Sequence, residues 1–137
     1  MSDIEVFASK AIDCGLRIHR ELGPGLLESV YEAVLADSLT RGGLRVERQK
    51  PISIRFDGLE ISDAFRADLI IEGALIVEVK SVERCAPVHA KQLLTYLRLT
   101  GQPLGLLMNF GCETFCDGLK RVVNGPSGFV QTRKQSA

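Results

Sequence analysis

The sequence of 137 residues has no excess charge of either sign, and this balance argues against one common class of protein. It contains 17 lysines and arginines and 17 aspartates and glutamates, so its formal net charge is zero. A protein that binds nucleic acid over its whole surface is usually strongly basic. A local basic rim is still compatible with the balance, and its candidate residues are Arg45, Arg48, Lys50, Arg55 and Arg66.

Long apolar runs, internal repeats and linkers are missing as well. No stretch has the length and apolar character of a membrane span, and the N-terminus lacks the form of a secretory signal peptide. We therefore expect a soluble, cytoplasmic protein without a membrane partner. The length predicts a single domain with one core over residues 1–125. The polar, small-residue stretch at residues 126–137 is typical of a disordered tail.

Cysteine is sparse, and its distribution argues against a fold held together by disulfides. The four cysteines are Cys14, Cys85, Cys112 and Cys116. In a cytosolic chain of ordinary composition, such residues are more often reduced and unpaired than joined in a disulfide framework. The core is therefore expected to come from apolar packing alone.

Hydrophobic periodicity predicts three helices. They are expected over residues 4–22, 26–40 and 87–100, where apolar residues recur at helical spacing. Glycines follow the first two helices, and Pro87 is well placed in the first turn of the third. Residues 114–123 fit either a short strand or a helix.

Four stretches rich in β-branched, aromatic or aliphatic residues are predicted as strands: 44–56, 65–71, 75–79 and 104–110. The first contains Pro51 and is expected to be an edge strand or two short strands, onto which residues 59–62 pair back. The last is apolar throughout, as in a buried central strand. Its position after a helix predicts a crossover that places it parallel to the strand at 75–79.

Three charged side chains interrupt the two strands that meet near Gly73. Glu78 and Lys80 are two residues apart and project from one face of their strand. A two-residue loop would send Asp68 to the opposite face, whereas a three-residue turn with Gly73 left-handed pairs even-numbered residues with even-numbered ones. In that second register the odd-numbered residues form an unbroken apolar face. The apolar pattern therefore favours the register that gathers Asp68, Glu78 and Lys80.

Two neighbouring carboxylates repel each other unless a cation lies between them. Hard oxygen ligands in an incomplete cage suit Mg²⁺, and the carbonyl of Val79 is a candidate further ligand. Lys80 beside the ion would orient an attacking water or stabilise charge on a phosphate. The chemistry implied is metal-assisted phosphodiester hydrolysis. The alternative is a Glu78–Lys80 pair on an exposed sheet face, with Asp68 as a cap at the start of a strand.

In order and spacing, Asp68, Glu78 and Lys80 resemble the signature of the PD-(D/E)XK nuclease superfamily, although Ala67 stands where the signature has proline. The resemblance implies an α/β fold, with a mixed, mainly four-stranded sheet flanked by helices in a restriction-endonuclease-like core. It extends over about residues 15–125.

Two further motifs narrow the resemblance. Gly25, Glu28 and Tyr31 reproduce the motif of the GxxExxY family within that superfamily, and Gln92 and Tyr96 resemble the Q-x-x-x-Y motif of RecB-type nucleases. Some RecB-type nucleases carry an iron–sulfur cluster on four cysteines, one before the core and three after it. The cysteines here are distributed differently, so we do not expect a cluster.

Roles for individual residues follow from the resemblance. The expected metal ligands are Asp68, Glu78, Glu28 and the carbonyl of Val79, and the expected catalytic residues are Lys80, Glu78, Asp68 and Gln92. Tyr96 is a candidate for substrate binding. Arg66 has the same parity as Asp68, so it is a candidate for binding a substrate phosphate and equally a candidate surface residue. On its position alone, Glu28 would merely complement the dipole of its helix. Tyr31 is expected to pack with its hydroxyl bonded nearby, while Glu32 and His89 are expected to be solvated.

Two functional hypotheses result. The first is a Mg²⁺-dependent nuclease, with Mn²⁺ as an alternative ion, that hydrolyses phosphodiester bonds of DNA or RNA. The second is a catalytically silent binding or assembly module with a nuclease fold, acting as a homodimer. The zero net charge, the small size and the absence of a separate DNA-reading motif favour the second, and an exposed edge strand would allow a dimer.

Overall fold

The computed structural model of the protein describes residues 2–125 and the backbone of residues 129–132. Its elements, in chain order, are α1 (Asp3–Leu22), α2 (Glu28–Arg41), β1 (Val46–Phe56), β2 (Leu59–Ile71), β3 (Leu75–Lys80), α3 (Pro87–Thr100), β4 (Leu104–Asn109), α4 (Phe115–Gly118), β5 (Leu119–Val123) and β6 (Phe129–Thr132). The strands form one six-stranded sheet in the order of the chain. The pair β3–β4 is parallel and the other neighbouring strands are antiparallel. The mixed α/β fold is therefore confirmed.

The sheet is wider than the mainly four-stranded sheet that the sequence predicts, because β5 and β6 extend it beyond β4. The ambiguous stretch at 114–123 divides into the short helix α4 and the strand β5. Part of the expected tail, residues 129–132, pairs with β5 as β6. The remaining tail residues, 126–128 and 133–137, lie outside the described residues.

Helices cover both faces of the sheet, and the alternation of β3 decides which residues meet which helix. Odd-numbered residues of β3 join the core formed with α1 and α2: Leu75, Val77 and Val79. Ile76 points the other way and packs with three residues of α3: Ala90, Leu93 and Leu97. The sheet is thus the middle layer of three, and β3 and β4 are buried on both faces.

Helix α3 provides the crossover that makes β4 parallel to β3. Pro87 occupies its first turn, and Gly101 ends it in the left-handed region at φ 71°. Leu93 packs so closely on β4 that a Cβ at Gly105 would lie 3.0 Å from its Cδ1 atom. The crossover expected from the sequence is therefore present, and α3 lies tightly against the centre of the sheet.

Strands β1 and β2 form a hairpin longer than the sequence predicts. Residues 59–62 and 65–71, expected as separate stretches, are parts of the single strand β2. Asp57 and Gly58 make the turn, both at positive φ (52° and 81°), as in the tight turns of β-hairpins. Near this turn Phe56 is 77% exposed and Leu59 is 63% exposed, so the hairpin tip carries apolar side chains in water.

Two expectations drawn from composition can be compared with the structure. None of the helices in the described residues is long and apolar enough to cross a membrane. Each of the four cysteines is present as a free thiol.

Candidate active site

The turn between β2 and β3 sets the register of the site. Ile71 pairs with Leu75 and Leu69 with Val77, so the turn between the strands has three residues. Gly73 is left-handed at φ 66°, as the sequence analysis expects, and Glu72 before it is left-handed too, at φ 53°. This is the register that pairs even-numbered residues with even-numbered ones.

The backbone ladder between β2 and β3 gives way to side-chain contacts after Leu69 and Val77. The Asp68 N–H donates to Oε2 of Glu78 at 3.0 Å, and the Val79 N–H donates to Oδ2 of Asp68 at 2.9 Å. The two carboxylates thus take the place of backbone carbonyls where the strands end their pairing. We call this arrangement of Asp68, Glu78 and Val79 the carboxylate fork.

The two carboxylates of the carboxylate fork lie close enough to shift the pKa of Glu78. Burial, and then the adjacent charge of Asp68, raise the pKa of Glu78 from its ordinary value to about 8. Lys80 lowers the pKa of Glu78, but by less than the other causes raise it. The charged form of Glu78 is therefore unfavourable beside Asp68, and a nearby cation would relieve the repulsion. A pair of carboxylates in this state is suited to binding a positive ion.

Lys80 ends β3 next to the carboxylate fork, and its main chain is fixed. Its carbonyl accepts a hydrogen bond from the Phe110 N–H at 2.8 Å, and it pairs in register with Asn109 of β4. Within residues 2–125, no carboxylate lies within 4 Å of its ammonium group as a salt-bridge partner. The half-buried Lys80 therefore keeps its charge available.

Helix α3 places Gln92 and Tyr96 near the same carboxylates. Burial, and then the charges of Glu78 and Asp68, raise the pKa of the Tyr96 phenol, whereas the nearby Gln92 side chain lowers it. The Tyr96 ring stacks on Phe65 of β2, with centroids 3.8 Å apart and planes 5° from parallel. Two side chains of α3 therefore border the site.

A family model described as the PD-(D/E)XK nuclease superfamily matches residues 5–122. The chain belongs to this superfamily. No curated protein and no solved structure matched the chain. Membership suggests nuclease activity, the superfamily acts on nucleic acid, and its members typically use divalent metal ions.

Arg66 and Glu28, which are also expected to serve a superfamily nuclease, lie outside the carboxylate fork. Arg66 is exposed on β2, and its Nη1 donates to the Gln49 carbonyl at 3.3 Å. Glu28 begins α2 and lines an open cavity of about 710 Å³ with Ser81 and Val82, which follow β3. Across residues 2–125, no three His, Cys, Asp or Glu side chains are grouped to hold a metal ion. The structure thus does not gather Glu28, Asp68 and Glu78 into one set.

Tyr31, the last residue of the G-x-x-E-x-x-Y pattern, is completely buried. Its hydroxyl donates to the Gly23 carbonyl at 2.5 Å and accepts from the Leu26 N–H at 3.1 Å. Its ring stacks on Phe110, with centroids 4.5 Å apart. This residue therefore fixes the turn between α1 and α2 against the end of β4, which agrees with the packing role expected from the sequence.

The expectation of a solvated Glu32 is wrong. Glu32 is only 6% exposed, and it lies against β1. Its Oε2 accepts from Arg48 at 3.1 Å, and its Oε1 accepts from the Gln49 side-chain amide at 2.8 Å. Glu32 is buried because β1 supplies donors for both oxygens, and the helical pattern of α2 alone carries no information about that strand.

His89 also departs from its expected solvated state. Its Nδ1 atom is buried and has no hydrogen-bond partner in the part of the chain that the structure describes. The imidazole is therefore at least partly covered, although the residue stands one turn before Gln92 on α3.

Asn109 is a buried polar residue that the sequence analysis does not single out. It is fully buried at the end of β4. Its side-chain oxygen accepts from the Val82 N–H at 3.0 Å, and its amide donates to the Val82 carbonyl at 2.9 Å. Asn109 thereby ties the segment after Lys80 to β4. A single polar side chain at the end of the apolar run 104–110 is the signal that marks it in the sequence.

Proposed function

We propose that the protein is a divalent-metal-dependent nuclease that hydrolyses phosphodiester bonds of DNA or RNA. The observation that carries the proposal is the carboxylate fork, which holds Asp68 and Glu78 side by side at the end of β2–β3 pairing. Within the superfamily we assign the chain to the GxxExxY group, on the motif that contains Glu28 and Tyr31.

The residues of the carboxylate fork fit a hard divalent cation, and we propose Mg²⁺, or alternatively Mn²⁺. Glu78 has a pKa of about 8 beside the charge of Asp68, and a positive ion would relieve that repulsion. The ligands would be the two carboxylates and the Val79 carbonyl, with Glu28 contributing through water. A divalent cation held by these residues would neutralise negative charge on the phosphodiester.

The chain's own residues supply the remaining chemistry. Lys80, which has no carboxylate partner within residues 2–125, orients the attacking water or stabilises the charge that develops on the phosphate. Tyr96, which is influenced by the charges of both carboxylates, and Gln92, which lies near Tyr96, position Lys80, a water or a phosphate. Arg66, which is exposed on β2, binds a phosphate of the substrate.

A cleavage assay tests the proposal. The wild-type protein is incubated with single- and double-stranded DNA and RNA in Mg²⁺ or Mn²⁺, beside Lys80→Ala and Asp68→Ala. Each substitution is expected to lower the rate by about 100-fold or more, since each removes a group that acts on the reacting phosphate or its ion. Lys91→Ala, at an exposed lysine of α3, is the matched control and should cleave like the wild type. Activity that survives both site substitutions would come from a contaminant and would refute the proposal.

The exposed hairpin tip favours a second candidate function, that of a catalytically silent homodimeric assembly module. Phe56 and Leu59 are 77% and 63% exposed there, and β1 is an edge strand. Melting temperature against metal concentration separates the candidates, because an ion bound to the native state must raise it. No rise with millimolar Mg²⁺ or Mn²⁺, together with a dimer in sedimentation, would favour the assembly module.

A further inference from the structure

A hydrogen-bonded chain connects helix α2 to the carboxylate fork through one residue of β1. The side-chain Nε2 of Gln49 lies 2.8 Å from Oε1 of Glu32 and 3.1 Å from Oδ1 of Asp68. An amide nitrogen has two hydrogens, so both are used by carboxylates. The orientation of the Gln49 amide is therefore fixed from two sides.

The backbone of Gln49 is unusual in the same place. It lies between Arg48, which pairs with Leu69, and Lys50, which pairs with Ala67, and so stands opposite Asp68. Its φ of 49° is in the left-handed region, which residues with a side chain rarely adopt inside a strand. Such a conformation persists only where the surroundings hold it, and it concentrates at functional sites.

Glu32, at the α2 end of these hydrogen bonds, is itself firmly held. Glu32 is 6% exposed, and its second oxygen, Oε2, accepts hydrogen bonds from both Nε and Nη2 of Arg48. Gln49 itself is exposed, whereas the Glu32 side chain that holds it is buried. A third contact, from Nη1 of Arg66 to the Gln49 carbonyl, holds the main chain.

We propose that Gln49 is a positioning residue that fixes the orientation of the Asp68 carboxylate. The inference rests on the proposed function for its purpose, which is to hold Asp68 ready for a divalent cation. Gln49 fixes Oδ1 of Asp68 while the Val79 N–H fixes Oδ2. Each oxygen keeps a second lone pair for an ion. Glu32 and Arg48 in turn orient Gln49, as outer groups commonly orient metal ligands.

The first measurement needs no metal. In a two-dimensional nitrogen–proton spectrum, the side-chain amide signals of Gln49 should move when Asp68→Ala removes their acceptor. Gln102 is an internal reference, because its Nε2 donates to the Gly73 carbonyl at 3.1 Å, at the opposite end of β3, and its signals should stay in place. Gln49 signals that do not move would overturn the inference.

The second measurement compares the affinity for Mn²⁺ of the wild type and Gln49→Met by calorimetry. Methionine keeps the length of the side chain and removes the donor, so the dissociation constant for Mn²⁺ should rise about 10-fold or more. Gln102→Met makes the same chemical change away from the carboxylates and should bind Mn²⁺ like the wild type. The melting temperature without metal shows whether each variant is folded.

The outcomes separate this inference from the proposed function. Unchanged Mn²⁺ affinity in folded Gln49→Met would overturn the positioning role while the nuclease proposal stands. A wild-type protein that binds neither Mn²⁺ nor Mg²⁺ would overturn the proposed function, and the amide signals would then decide whether Gln49 orients Asp68. Moved amide signals together with weakened binding support both.

Discussion

The two ends of the β2–β3 pair are built on opposite principles. At the turn end, Leu69, Ile71, Leu75 and Val77 are fully buried, and backbone pairs with backbone in register. At the other end, backbone N–H groups pair with the carboxylates of Asp68 and Glu78. The first arrangement stabilises the fold by removing apolar surface from water, whereas the second holds two carboxylates side by side, which is electrostatically unfavourable. The groups that stabilise the fold and the proposed metal ligands are therefore separated within a few residues of one hairpin.

The largest expected effect comes from a substitution at the apolar turn end of the β2–β3 pair. Leu69→Ala should lower the free energy of unfolding by about 2–5 kcal/mol, because it leaves a cavity in a fully buried site. Leu59→Ala, at a leucine of the same strand that is 63% exposed, is the matched control and should change stability little. Urea denaturation measures both. Equal effects at the two positions would contradict the burial described for the turn end.

The next effect concerns the charge at the carboxylate fork. The folded-state pKa of Glu78, about 8, lies above its ordinary value, so the stability associated with its proton is present at low pH and is lost as pH rises through 8. Glu78→Gln removes this dependence. Without metal, the wild type should lose roughly 2–4 kcal/mol more unfolding free energy than Glu78→Gln between pH 5 and pH 9.

Thermal unfolding across this pH range measures the difference, with Glu113→Gln, at an exposed position, as the control. A wild type and a Glu78→Gln variant with parallel pH profiles would show that the Glu78 carboxyl titrates normally.

A smaller effect should come from adding the ion. Mg²⁺ or Mn²⁺ at ten times its dissociation constant should stabilise the wild type by about 1.4 kcal/mol. At one fixed metal concentration the effect should be larger at pH 8.5 than at pH 6, because binding requires Glu78 to lose its proton and its pKa is about 8. Melting temperature against metal concentration is the measurement. Asp68→Ala should abolish the response, and a response that persists there would place the ion elsewhere.

The smallest expected effect on stability comes from a substitution in the turn between β2 and β3. Gly73 is left-handed at φ 66°, so Gly73→Ala should destabilise the fold by about 1 kcal/mol through backbone strain alone. No metal ligand is changed, so the affinity for Mn²⁺ should stay at the wild-type value. Denaturation and calorimetry on the same sample test the two expectations, and weakened binding would mean that the turn also adjusts the carboxylate fork.

The register of β2 and β3 could be predicted from the sequence because one choice satisfied two requirements. An odd-length loop, such as a three-residue turn, puts Leu69, Ile71, Leu75 and Val77 on one apolar face with Asp68 on the face of Glu78, whereas a two-residue loop does not. Helix α3 was equally predictable, since Pro87 marks its start. These features are local, or depend on residues close in the chain.

The rest of the site depends on contacts between distant segments. Glu32 is buried by Arg48 and Gln49, which belong to a strand that its own helical pattern does not reveal. Gln49 has a left-handed backbone although it is not glycine, so the sequence does not indicate this conformation. The placement of Glu28 at a cavity, outside any three-acid set in residues 2–125, likewise follows from how α2 packs. Periodicity and motifs in a single sequence give no information about such contacts between distant segments.

Asn109 has a consequence for the mobility of Lys80. The main chain of Lys80 is held by the Phe110 N–H, and Val82, two residues further on, is held by both ends of the Asn109 amide. With the peptide units fixed on either side, the ammonium group can change position only by rotation about its own carbon–carbon bonds. In the proposed nuclease, the approach of Lys80 to a substrate phosphate would then need only changes of side-chain rotamer, without a rearrangement of the main chain.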